Sequence, residues 1–559
     1  MGCATRLIPE WRENSKLTND KTILDIQDLT VRLPKDSDRE NAIEDISFSV
    51  KAGEIVCVVG ESGSGKSVTA QTVMGLNSPD QLKPTAGSIL LNGKEILNLP
   101  QPELRKLRGE RMAMIFQEPM TALNPVLRVG DQIAEMLEIH TDMNANERHA
   151  RVIEVMKDVN LPDPQKMAKS YPHQLSGGQR QRIMIAIALA LEPDLLIADE
   201  PTTALDVTTQ AQILELIITI QRRQGTAVLF ITHDFGVVAQ IADKVVVMRD
   251  GRMVEQGTMD HMLNHSTQPY TRMLIASVPP LVPPKRTPIT KGSPILETQS
   301  LMKTYGTKGW FGKGRVVHAA KQVELEVRRG ETLGVVGESG SGKSTVARCI
   351  VRLIDPNDGE IRIDGKNIAN LNQKSLRPVR KDVQIVFQDP YRSLNPRRSV
   401  GNSIIEGPMN FGVGHMDAIK RARDLMEVVG LSPNSLERYP HQFSGGQRQR
   451  ICIARALAME PDVLIADEAV SALDVSVQAQ VLELLDQVRK DFDLAMLFIT
   501  HDLRVAAQIC DRIMVMKLGQ VVEQGPTASV YANPQHEYTK LLLNAAPGRD
   551  VDFTARALT

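Results

Sequence analysis

The chain has 559 residues, more than one hydrophobic core can hold, which predicts roughly two to four domains at about 150 residues each. Its hydrophobic content of 42% and charged content of 24% are typical of soluble globular proteins, and a net charge of −1 excludes the basic excess of most nucleic-acid binders. Five scattered cysteines, without a CxxC pair, are typical of a reducing compartment and exclude a disulfide framework.

The amino-terminal residues 1–20 are polar and lack the apolar stretch of a signal peptide, so we expect them to be poorly ordered. The longest apolar run in the chain, IMIAIALAL at 183–191, has about half the length that a membrane-spanning helix requires. We therefore expect a soluble chain; if it works at a membrane, a partner protein must hold it there.

Beyond this segment the chain contains two copies of one pattern, each roughly 250 residues long. Lys66 and Lys343 are 277 residues apart, whereas Glu200 and Glu468 are 268 residues apart, so the front halves of the copies differ slightly in length. The predicted domains span 21–276 and 295–548, with a tail at 549–559. The segment at 277–294 contains six prolines and is predicted to be an extended tether without chemistry.

Each copy alternates short apolar strands with helical patterns. The strands read EIVCVVG, LLIADEP and AVLFITHD in the first copy, and ETLGVVG, VLIADEA and AMLFITHD in the second. Continuous apolar strands of this kind predict a largely parallel, buried sheet. Each copy is therefore predicted to be an α/β domain.

A glycine-rich motif follows the first of these strands in each copy. GESGSGKS occurs at 60–67 and again at 337–344, between a strand and a helical pattern. The motif fits G-x-x-x-x-G-K-[ST], whose backbone N–H groups surround phosphates at a helix N-terminus, while the lysine approaches the β- and γ-phosphates and the serine can bind Mg²⁺. The predicted nucleotide-binding residues are Gly60, Ser62, Gly63, Ser64, Gly65, Lys66, Ser67 and Val68, and then Gly337, Ser339, Gly340, Ser341, Gly342, Lys343, Ser344 and Thr345.

Polar residues end further apolar strands. Asp199-Glu200 and Asp467-Glu468 close strands beside the glycine-rich loops. We expect each aspartate to orient Mg²⁺ and each glutamate to position the attacking water. A solvated turn is the alternative, which the preceding apolar residues disfavour.

Histidines and glutamines complete the set of strand-end residues. His233 and His501 each lie 33 residues beyond the glutamate of their copy, and this equal spacing favours a γ-phosphate contact over a purely structural role. Gln117 and Gln388 also end apolar strands, where an amide can reach Mg²⁺ or the water. All four residues are catalytic candidates.

The stretches LSGGQ at 175–179 and FSGGQ at 443–447 resemble the signature sequence of ABC ATPases. From about residue 24 to 545 the family's other motifs occur in its usual order, including the ALD loops at 204–206 and 472–474. This resemblance implies two tandem P-loop ATPase domains, each with a mostly parallel sheet core, an antiparallel β part and a helical subdomain.

In this family the signature of one domain faces the nucleotide of the other. The resemblance thus implies one ATP between Lys66 and Ser444 and a second between Lys343 and Ser176. The implied signature contacts are Ser176, Gly177, Gly178 and Gln179, and Ser444, Gly445, Gly446 and Gln447. The implied Mg²⁺ ligands are Ser67, Gln117 and Asp199, and Ser344, Gln388 and Asp467.

Several stretches look like the ATPase subunits of bacterial dipeptide and oligopeptide importers, especially the fused Yej-type and glutathione-type. These are EPMTALNP, DPYRSLNP, the tails HSTQPYTRMLIASVP at 265–279 and PQHEYTKLLLNAAP at 534–547, and the insert at 306–319. The resemblance implies two transmembrane permease subunits, a periplasmic solute-binding protein and a peptide-like solute, with no nucleic acid. The chain would lie peripherally at the cytoplasmic face of the inner membrane and contact the membrane through the permeases.

Three features depart from the family pattern. Tyr305 occupies the position of the aromatic residue that stacks on adenine, but the first copy has Leu33 there, so the first site is expected to hold nucleotide less firmly. Pro201, after the first glutamate, is replaced by Ala469 after the second. The C-terminal cysteine cluster of unfused relatives is missing, so no iron–sulfur centre is expected. Because both copies keep their glutamate, histidine and signature serine, we predict two competent ATPase sites.

The alternative function is a soluble twin-ABC ATPase that acts on ribosomes. Such proteins generally join their domains with a long charged helical arm, whereas this linker is short and rich in proline. A DNA-repair ATPase of the same superfamily would need zinc-binding cysteine pairs, which the sequence lacks.

Overall fold

The computed structural model describes residues 20–35, 37, 39–78, 82–203, 205–286, 292–306, 316–471, 473–549, 551 and 553. Several predictions fall wholly or partly outside these residues, namely the expected disorder at the start of the chain, most of the C-terminal tail, the centre of the 306–319 insert, residues 287–291 of the linker and the first residue of each ALD loop. The chain divides into two compact units, and the boundary between them in the sequence lies between Val278 and Pro279.

The strands of the first unit are β1 Thr22–Arg32, β2 Asn41–Lys51, β3 Ile55–Val59, β4 Lys83–Leu91, β5 Lys94–Glu95, β6 Met112–Ile115, β7 Leu195–Asp199, β8 Ala227–Ile231, β9 Lys244–Arg249 and β10 Arg252–Thr258. Its helices are α1 Lys66–Val73, α2 Gln101–Leu107, α3 Pro119–Ala122, α4 Val129–His140, α5 Ala145–Asp158, α6 Pro164–Met167, α7 Gly177–Leu189, α8 Val207–Gln224, α9 Phe235–Ile241, α10 Met259–His265 and α11 Pro269–Ala276. A 3₁₀ turn at Pro172–Gln174 precedes α7.

The strands of the second unit are β11 Leu296–Tyr305, β12 Val317–Val327, β13 Thr332–Val336, β14 Asp358–Ile363, β15 Lys366–Asn367, β16 Val383–Val386, β17 Val463–Asp467, β18 Ala495–Thr500, β19 Arg512–Lys517 and β20 Gln520–Pro526. Its helices are α12 Lys343–Ile350, α13 Gln373–Leu376, α14 Val379–Asp382, α15 Pro390–Ser393, α16 Val400–Asn410, α17 His415–Val428, α18 Gly445–Leu457, α19 Val475–Asp491, α20 Leu503–Ile509, α21 Thr527–Ala532 and α22 Glu537–Asn544. Two 3₁₀ turns, Pro433–Glu437 and Pro440–Gln442, precede α18.

Each unit contains two sheets. In the first unit an antiparallel sheet has the order β2-β1-β4-β5, and a six-stranded sheet has the order β10-β9-β3-β8-β7-β6. All strands of the larger sheet run parallel except the edge strand β10. The second unit repeats this plan with the orders β12-β11-β14-β15 and β16-β17-β18-β13-β19-β20. The predicted α/β fold, with a mostly parallel core and an antiparallel part in each domain, is confirmed.

The central parallel strands are mostly apolar because both faces of the sheet are covered. Every residue of β3, β7 and β8 is buried, and the same holds for β13, β17 and β18. Parallel strands all end at one edge of the sheet, so the loops that follow them converge there. This edge is where the predicted site residues lie.

Helices α4, α5 and α7 pack on one another and form the predicted helical part of the first unit, as α16, α17 and α18 do in the second. The signature serine is the N-cap of α7 in the first unit and of α18 in the second, so it lies at the start of one helix of this part. Within the described portion of the chain, no helix has both the length and the apolar character that crossing a bilayer requires.

Candidate active site

The P-loop lysine of each unit is buried and held by its own loop. Lys66 Nζ donates to the carbonyl oxygens of Gly60 and Glu61, both at 2.8 Å. In the second unit Lys343 Nζ donates to the carbonyl oxygens of Gly337 at 2.6 Å and Glu338 at 2.9 Å, and burial lowers its pKa. The carbonyl oxygens of the P-loop thus hold each ammonium group next to the loop, in a position to contact a bound phosphate.

Two glycines of each P-loop are required by close backbone contacts. Gly60 and Gly65 have φ values of 153° and 101°, and added Cβ atoms would collide with the carbonyl oxygens of Met248 and Ala42. Gly337 and Gly342 repeat these conformations in the second unit. The remaining P-loop candidates, such as the buried Ser64 and Ser341, lie along the same turn into α1 or α12.

The strand-end aspartate faces the P-loop serine in both units. Ser67 Oγ donates to Asp199 Oδ1 at 3.0 Å, and Ser344 Oγ donates to Asp467 Oδ1 at 2.8 Å. Burial raises the pKa of Asp199 to about 6 and also raises that of Asp467. A hydroxyl and a buried carboxylate are oxygen donors of the kind that Mg²⁺ prefers, and a cation there would stabilise the charged carboxylate, so the residues fit the ion.

The strand-end glutamate of the first unit is bound by three side chains. His233 Nδ1 lies 3.2 Å from Glu200 Oε1, while Gln117 Nε2 and Thr203 Oγ1 donate to Oε2 at 2.8 and 3.0 Å. Burial alone would raise the pKa of Glu200, but the hydrogen bond and charge of His233 lower it to about 2. The carboxylate is therefore ionised at neutral pH and can accept a proton.

The second unit keeps the glutamate–histidine pair but not the glutamine contact. His501 Nδ1 lies 3.4 Å from Glu468 Oε2, and this pairing outweighs burial to lower the pKa of Glu468. Gln388 Nε2 donates instead to Ser471 Oγ at 3.4 Å, and that hydroxyl donates to the backbone oxygen of Glu468 at 3.0 Å. The two sites thus share their residues but differ in how the glutamine reaches the base.

The signature residues form the N-termini of α7 and α18. Ser176 Oγ accepts from Gln179 N and Ser176 N donates to Gln179 Oε1, and Ser444 and Gln447 repeat this capping box. Both serines are exposed. The second signature glycine has a packing role, since an added Cβ on Gly178 would meet Thr209.

The first signature glycines have more space than the second. No atom lies within 4 Å of a Cβ built on Gly177, and on Gly445 the nearest atom is the Tyr391 hydroxyl oxygen at 3.7 Å. In the second unit a Cβ on Gly446 would meet Val477. At these two helix starts Gly177 is exposed and Gly445 is half-buried, and helix N-termini are positions at which backbone N–H groups bind anions.

The two candidate adenine contacts are an aromatic residue, Tyr305, and an aliphatic one, Leu33, and they lie in different surroundings. Tyr305 is 43% exposed at the end of β11, with the Lys303 ammonium 5.4 Å from its ring centre. Leu33 is half-buried against the hydrophobic core of the first unit. The stronger stacking expected at the second site stays a prediction.

The sequence analysis missed a tyrosine in each unit that contacts the P-loop. Tyr270 Oη accepts a hydrogen bond from Glu61 N at 3.2 Å, and Tyr538 Oη accepts one from Glu338 N at 3.1 Å. Both tyrosines lie in the tail stretches, which the sequence analysis used only for their resemblance. No local pattern links them to the P-loop, because the contact joins residues 209 positions apart in the first unit and 200 in the second.

Comparison with known proteins agrees with this geometry. A family profile described as ABC transporter matches residues 43–203 and 320–471. A second profile, described as the C-terminal region of oligopeptide/dipeptide transporters, matches residues 254–306 and 522–556.

Curated relatives extend the match over almost the whole chain. The glutathione import ATP-binding protein GsiA of Salmonella paratyphi A is 45% identical over 562 aligned residues, which cover 95% of this chain and 90% of the relative. GsiA of Escherichia coli K12 is 46% identical over 557 residues, covering 94% and 89%. The solved dimeric ATP-binding cassette MJ0796, bound to ADP and Pi, is 30% identical, with a TM-score of 0.39 and coverage of 42% of this chain and 99% of that chain.

The transporter profile matches both repeats, and the relatives cover the chain from one repeat through the other. An ATP-binding subunit of an importer works with membrane permeases, so the chain's ATP hydrolysis is coupled to transport. This protein therefore belongs to the ABC transporter ATPases, as a fused tandem ATP-hydrolysing subunit of the dipeptide and oligopeptide importer branch.

Proposed function

We propose that the chain hydrolyses ATP at two sites to power uptake of a peptide-like solute, with glutathione as the first candidate. The observation that carries the proposal is the duplicated set of a buried P-loop lysine, a serine–aspartate pair and a glutamate paired with histidine. The name of the relatives, glutathione import ATP-binding protein, supports the choice of solute.

The chemistry assigned to this chain begins with binding. The glycine-rich backbone surrounds the phosphates, and Lys66 or Lys343 leaves its carbonyl partners to contact the β- and γ-phosphates. Ser67, Gln117 and Asp199 would hold Mg²⁺ in the first site, as Ser344, Gln388 and Asp467 would in the second. When bound, Mg²⁺ neutralises phosphate charge and orients the γ-phosphate.

The ionised glutamate then acts on water. Glu200 or Glu468 accepts a proton from the water that attacks the γ-phosphorus, and His233 or His501 holds the carboxylate in position. The P–O bond to ADP breaks as the new P–O bond to water forms, and inorganic phosphate leaves. Loss of that phosphate removes the anion that both the lysine and the signature helix would bind.

Each ATP is proposed to lie between the P-loop of one repeat and the signature of the other, Lys66 with Ser444 and Lys343 with Ser176. The exposed serines at both helix starts support this pairing, because a helix N-terminus can bind an anion through its backbone N–H groups. A single chain then supplies both halves of both sites.

The proposed partners are two transmembrane permease subunits and a periplasmic solute-binding protein. The chain would lie peripherally at the cytoplasmic face of a bacterial inner membrane and contact the membrane through the permeases. Affinity purification from detergent-solubilised membranes tests this assembly. Recovery of two multi-span permeases supports the importer, whereas ribosomal proteins without permeases would favour the twin-ATPase alternative.

The catalytic assignment predicts the behaviour of a double variant, Glu200→Gln with Glu468→Gln. Glutamine has nearly the same shape but cannot accept the proton, so turnover should fall by about 100-fold or more while ATP still binds. Steady-state ATPase assays and equilibrium ATP binding measure the two effects. Glu44→Gln, which alters an exposed carboxylate paired with Arg252, is the matched control. Near wild-type turnover in the double variant would contradict the assignment of the base.

A further inference from the structure

One tyrosine hydroxyl in each unit holds the peptide on which the P-loop lysine rests. Tyr270 Oη accepts from Glu61 N, and the carbonyl oxygen of the same Glu61 accepts from Lys66 Nζ. The second unit repeats the arrangement, with Tyr538 Oη and Lys343 Nζ bound to the two sides of Glu338. Both backbone groups of the second P-loop residue are thus fixed, one by the tyrosine and one by the lysine.

Both tyrosine rings are buried, and each contacts a cationic side chain. Tyr270 is 7% exposed and Tyr538 is 4% exposed. The Arg249 guanidinium lies 4.9 Å from the centre of the Tyr270 ring, and the Lys517 ammonium lies 4.6 Å from the centre of the Tyr538 ring. Arg249 ends β9 and Lys517 ends β19, the strands whose preceding carbonyls abut the first P-loop glycines. Ring and loop are therefore attached to the same strand end.

A carboxylate on the edge strand fixes the start of each tyrosine-bearing helix. Glu255 of β10 accepts from Thr267 N at 2.9 Å and from Ser266 Oγ at 2.7 Å, just before α11. Glu523 of β20 accepts from Gln535 N at 2.8 Å and from His536 N at 3.0 Å, just before α22. Hydrogen bonds outweigh burial to lower the pKa of both glutamates, so both are charged acceptors at neutral pH.

Edge strand, helix start and tyrosine together form what we call the tyrosine bracket, consisting of Glu255, α11 and Tyr270 in the first unit and Glu523, α22 and Tyr538 in the second. Both brackets lie inside the segments that match the oligopeptide/dipeptide transporter C-terminal profile. In each unit the C-terminal region therefore contacts the P-loop through the tyrosine hydroxyl.

We propose that Tyr270 and Tyr538 are positioning residues for ATP binding, through which the C-terminal region of each repeat sets the geometry of its P-loop. The proposal rests on the ATPase function above. Each hydroxyl orients the Glu61 or Glu338 peptide so that its carbonyl presets the lysine ammonium, and the bracket keeps that peptide from rotating. Burial raises the pKa of both phenols, to about 12 for Tyr270, so each hydroxyl stays neutral at physiological pH and can both accept and donate.

The test removes only the hydroxyl groups, with the variants Tyr270→Phe, Tyr538→Phe and the two combined. Phenylalanine keeps the ring and its contact with Arg249 or Lys517. The variants lose the hydrogen bond from the P-loop N–H, and Tyr270→Phe also loses the longer one that Tyr270 Oη donates to Glu61 Oε2 at 3.5 Å. These losses should raise the Kd and KM for ATP roughly threefold to tenfold, with kcat changed less than about twofold. Hydrogen exchange of the peptides covering 60–67 and 337–344 should accelerate in the matching variant.

Tyr531→Phe is the matched control. The Tyr531 hydroxyl donates to the Leu503 carbonyl at 2.6 Å within the same C-terminal region of the second repeat. Its loss should lower stability to a degree similar to that of the test variants, with an unchanged Kd for ATP. Lys66→Ala with Lys343→Ala should abolish ATP binding, which tests the nucleotide sites independently of the tyrosines.

The results separate the two proposals. A raised Kd and faster P-loop exchange in the phenylalanine variants, with Tyr531→Phe unchanged, support the positioning role. If the phenylalanine variants lose stability but bind ATP like the wild type, the tyrosines are structural and the proposal is wrong. If the wild type itself does not bind or hydrolyse ATP, the proposed function is wrong and takes the positioning role with it.

Discussion

At the scale of single residues, the two repeats place a buried cysteine on different elements: the first has it on a strand, and the second has it after a helix. Gly334 lies in β13, and a Cβ added there would lie 2.5 Å from the sulfur of Cys510, which follows α20. The equivalent residues of the first unit are Cys57 in β3 and Ala242 after α9. All four residues lie in the buried core, so each repeat carries one thiol at this position and one small residue opposite it.

This exchange predicts a compensating pair of substitutions in the second unit. Gly334→Cys alone should destabilise the unit by about 1–3 kcal/mol through overpacking, and Cys510→Ala alone by on the order of 1 kcal/mol through a cavity. The combination, which copies the first repeat, should be close to the wild type. Urea unfolding of all four proteins gives the coupling free energy directly. Additive losses in the double variant would contradict the compensation.

Site residues could be predicted from the sequence where a residue type suited to phosphate chemistry stands at the end of a strand or the start of a helix. Lys66, Asp199 and Glu200 each end a strand or open a helix in the sequence, and they meet at one sheet edge because parallel strands end together. The difference between Gln117 and Gln388 was not predictable, because each glutamine follows the same kind of strand end, IFQ in the first copy and VFQ in the second. It depends on side-chain rotamers and on whether a threonine or a serine hydroxyl faces the glutamate.

At the scale of elements, the proline-rich segment between the repeats shows how a tether can be anchored. The Pro279 carbonyl accepts from Arg504 at 2.8 Å, and the Pro280 carbonyl accepts from Gln508 at 2.7 Å. Proline lacks an N–H group, so its carbonyl is its only backbone hydrogen-bonding group. The described start of the linker thus lies along α20 of the second unit.

An ion-pair cluster holds Arg286, the last described residue of this segment before 287. Arg286 pairs with Asp486 at 3.2 Å and with Asp511 at 3.5 Å, and Asp486 also binds Arg489 and Lys490 at 2.9 and 2.7 Å. Burial alone would raise the pKa of Asp486, but the hydrogen bonds of Lys490 and Arg489, with the charge of Arg286, lower it to about 2. Sequence composition alone predicted an extended tether without chemistry, because the partner Asp486 lies 200 residues further along the chain.

The cluster predicts a pH-dependent anchor. Because the folded-state pKa of Asp486 lies below its ordinary value, its stabilisation is present above about pH 4 and is lost as the pH falls toward 2. Asp486→Asn should therefore loosen residues 279–286 and α20 at pH 7, and the difference from the wild type should shrink as the pH falls from about 4 toward 2. Hydrogen exchange of these two peptides measures the effect, with Asp260→Asn as an exposed control. A difference independent of pH would contradict the charge argument.

At the scale of the whole molecule, duplication within one chain gives two copies of the candidate site, which can differ from each other. The second repeat keeps Glu468 and His501 but has Ala469, buried, where the first has Pro201. The fold of each repeat, with its parallel core, was predictable from the apolar strands, whereas the antiparallel sheet and helical part followed only from family resemblance. Head-to-tail pairing of the repeats is a proposal that follows from the order of the motifs, and pairs of variants can test it.

Head-to-tail pairing makes a prediction that depends on which variants are combined. In a Glu200→Gln, Glu468→Gln background, where ATP binds without turnover, Lys66→Ala with Ser444→Arg should damage the same site twice and leave one tightly held ATP per chain. Lys66→Ala with Ser176→Arg should damage both sites and leave none. Nucleotide retained after rapid gel filtration counts the occupied sites, and Lys343→Ala with either signature variant gives the reciprocal control. If pairing occurred within each repeat, the two combinations would exchange results, because Lys66 would then share its site with Ser176. The same count therefore distinguishes the two architectures without a bound partner.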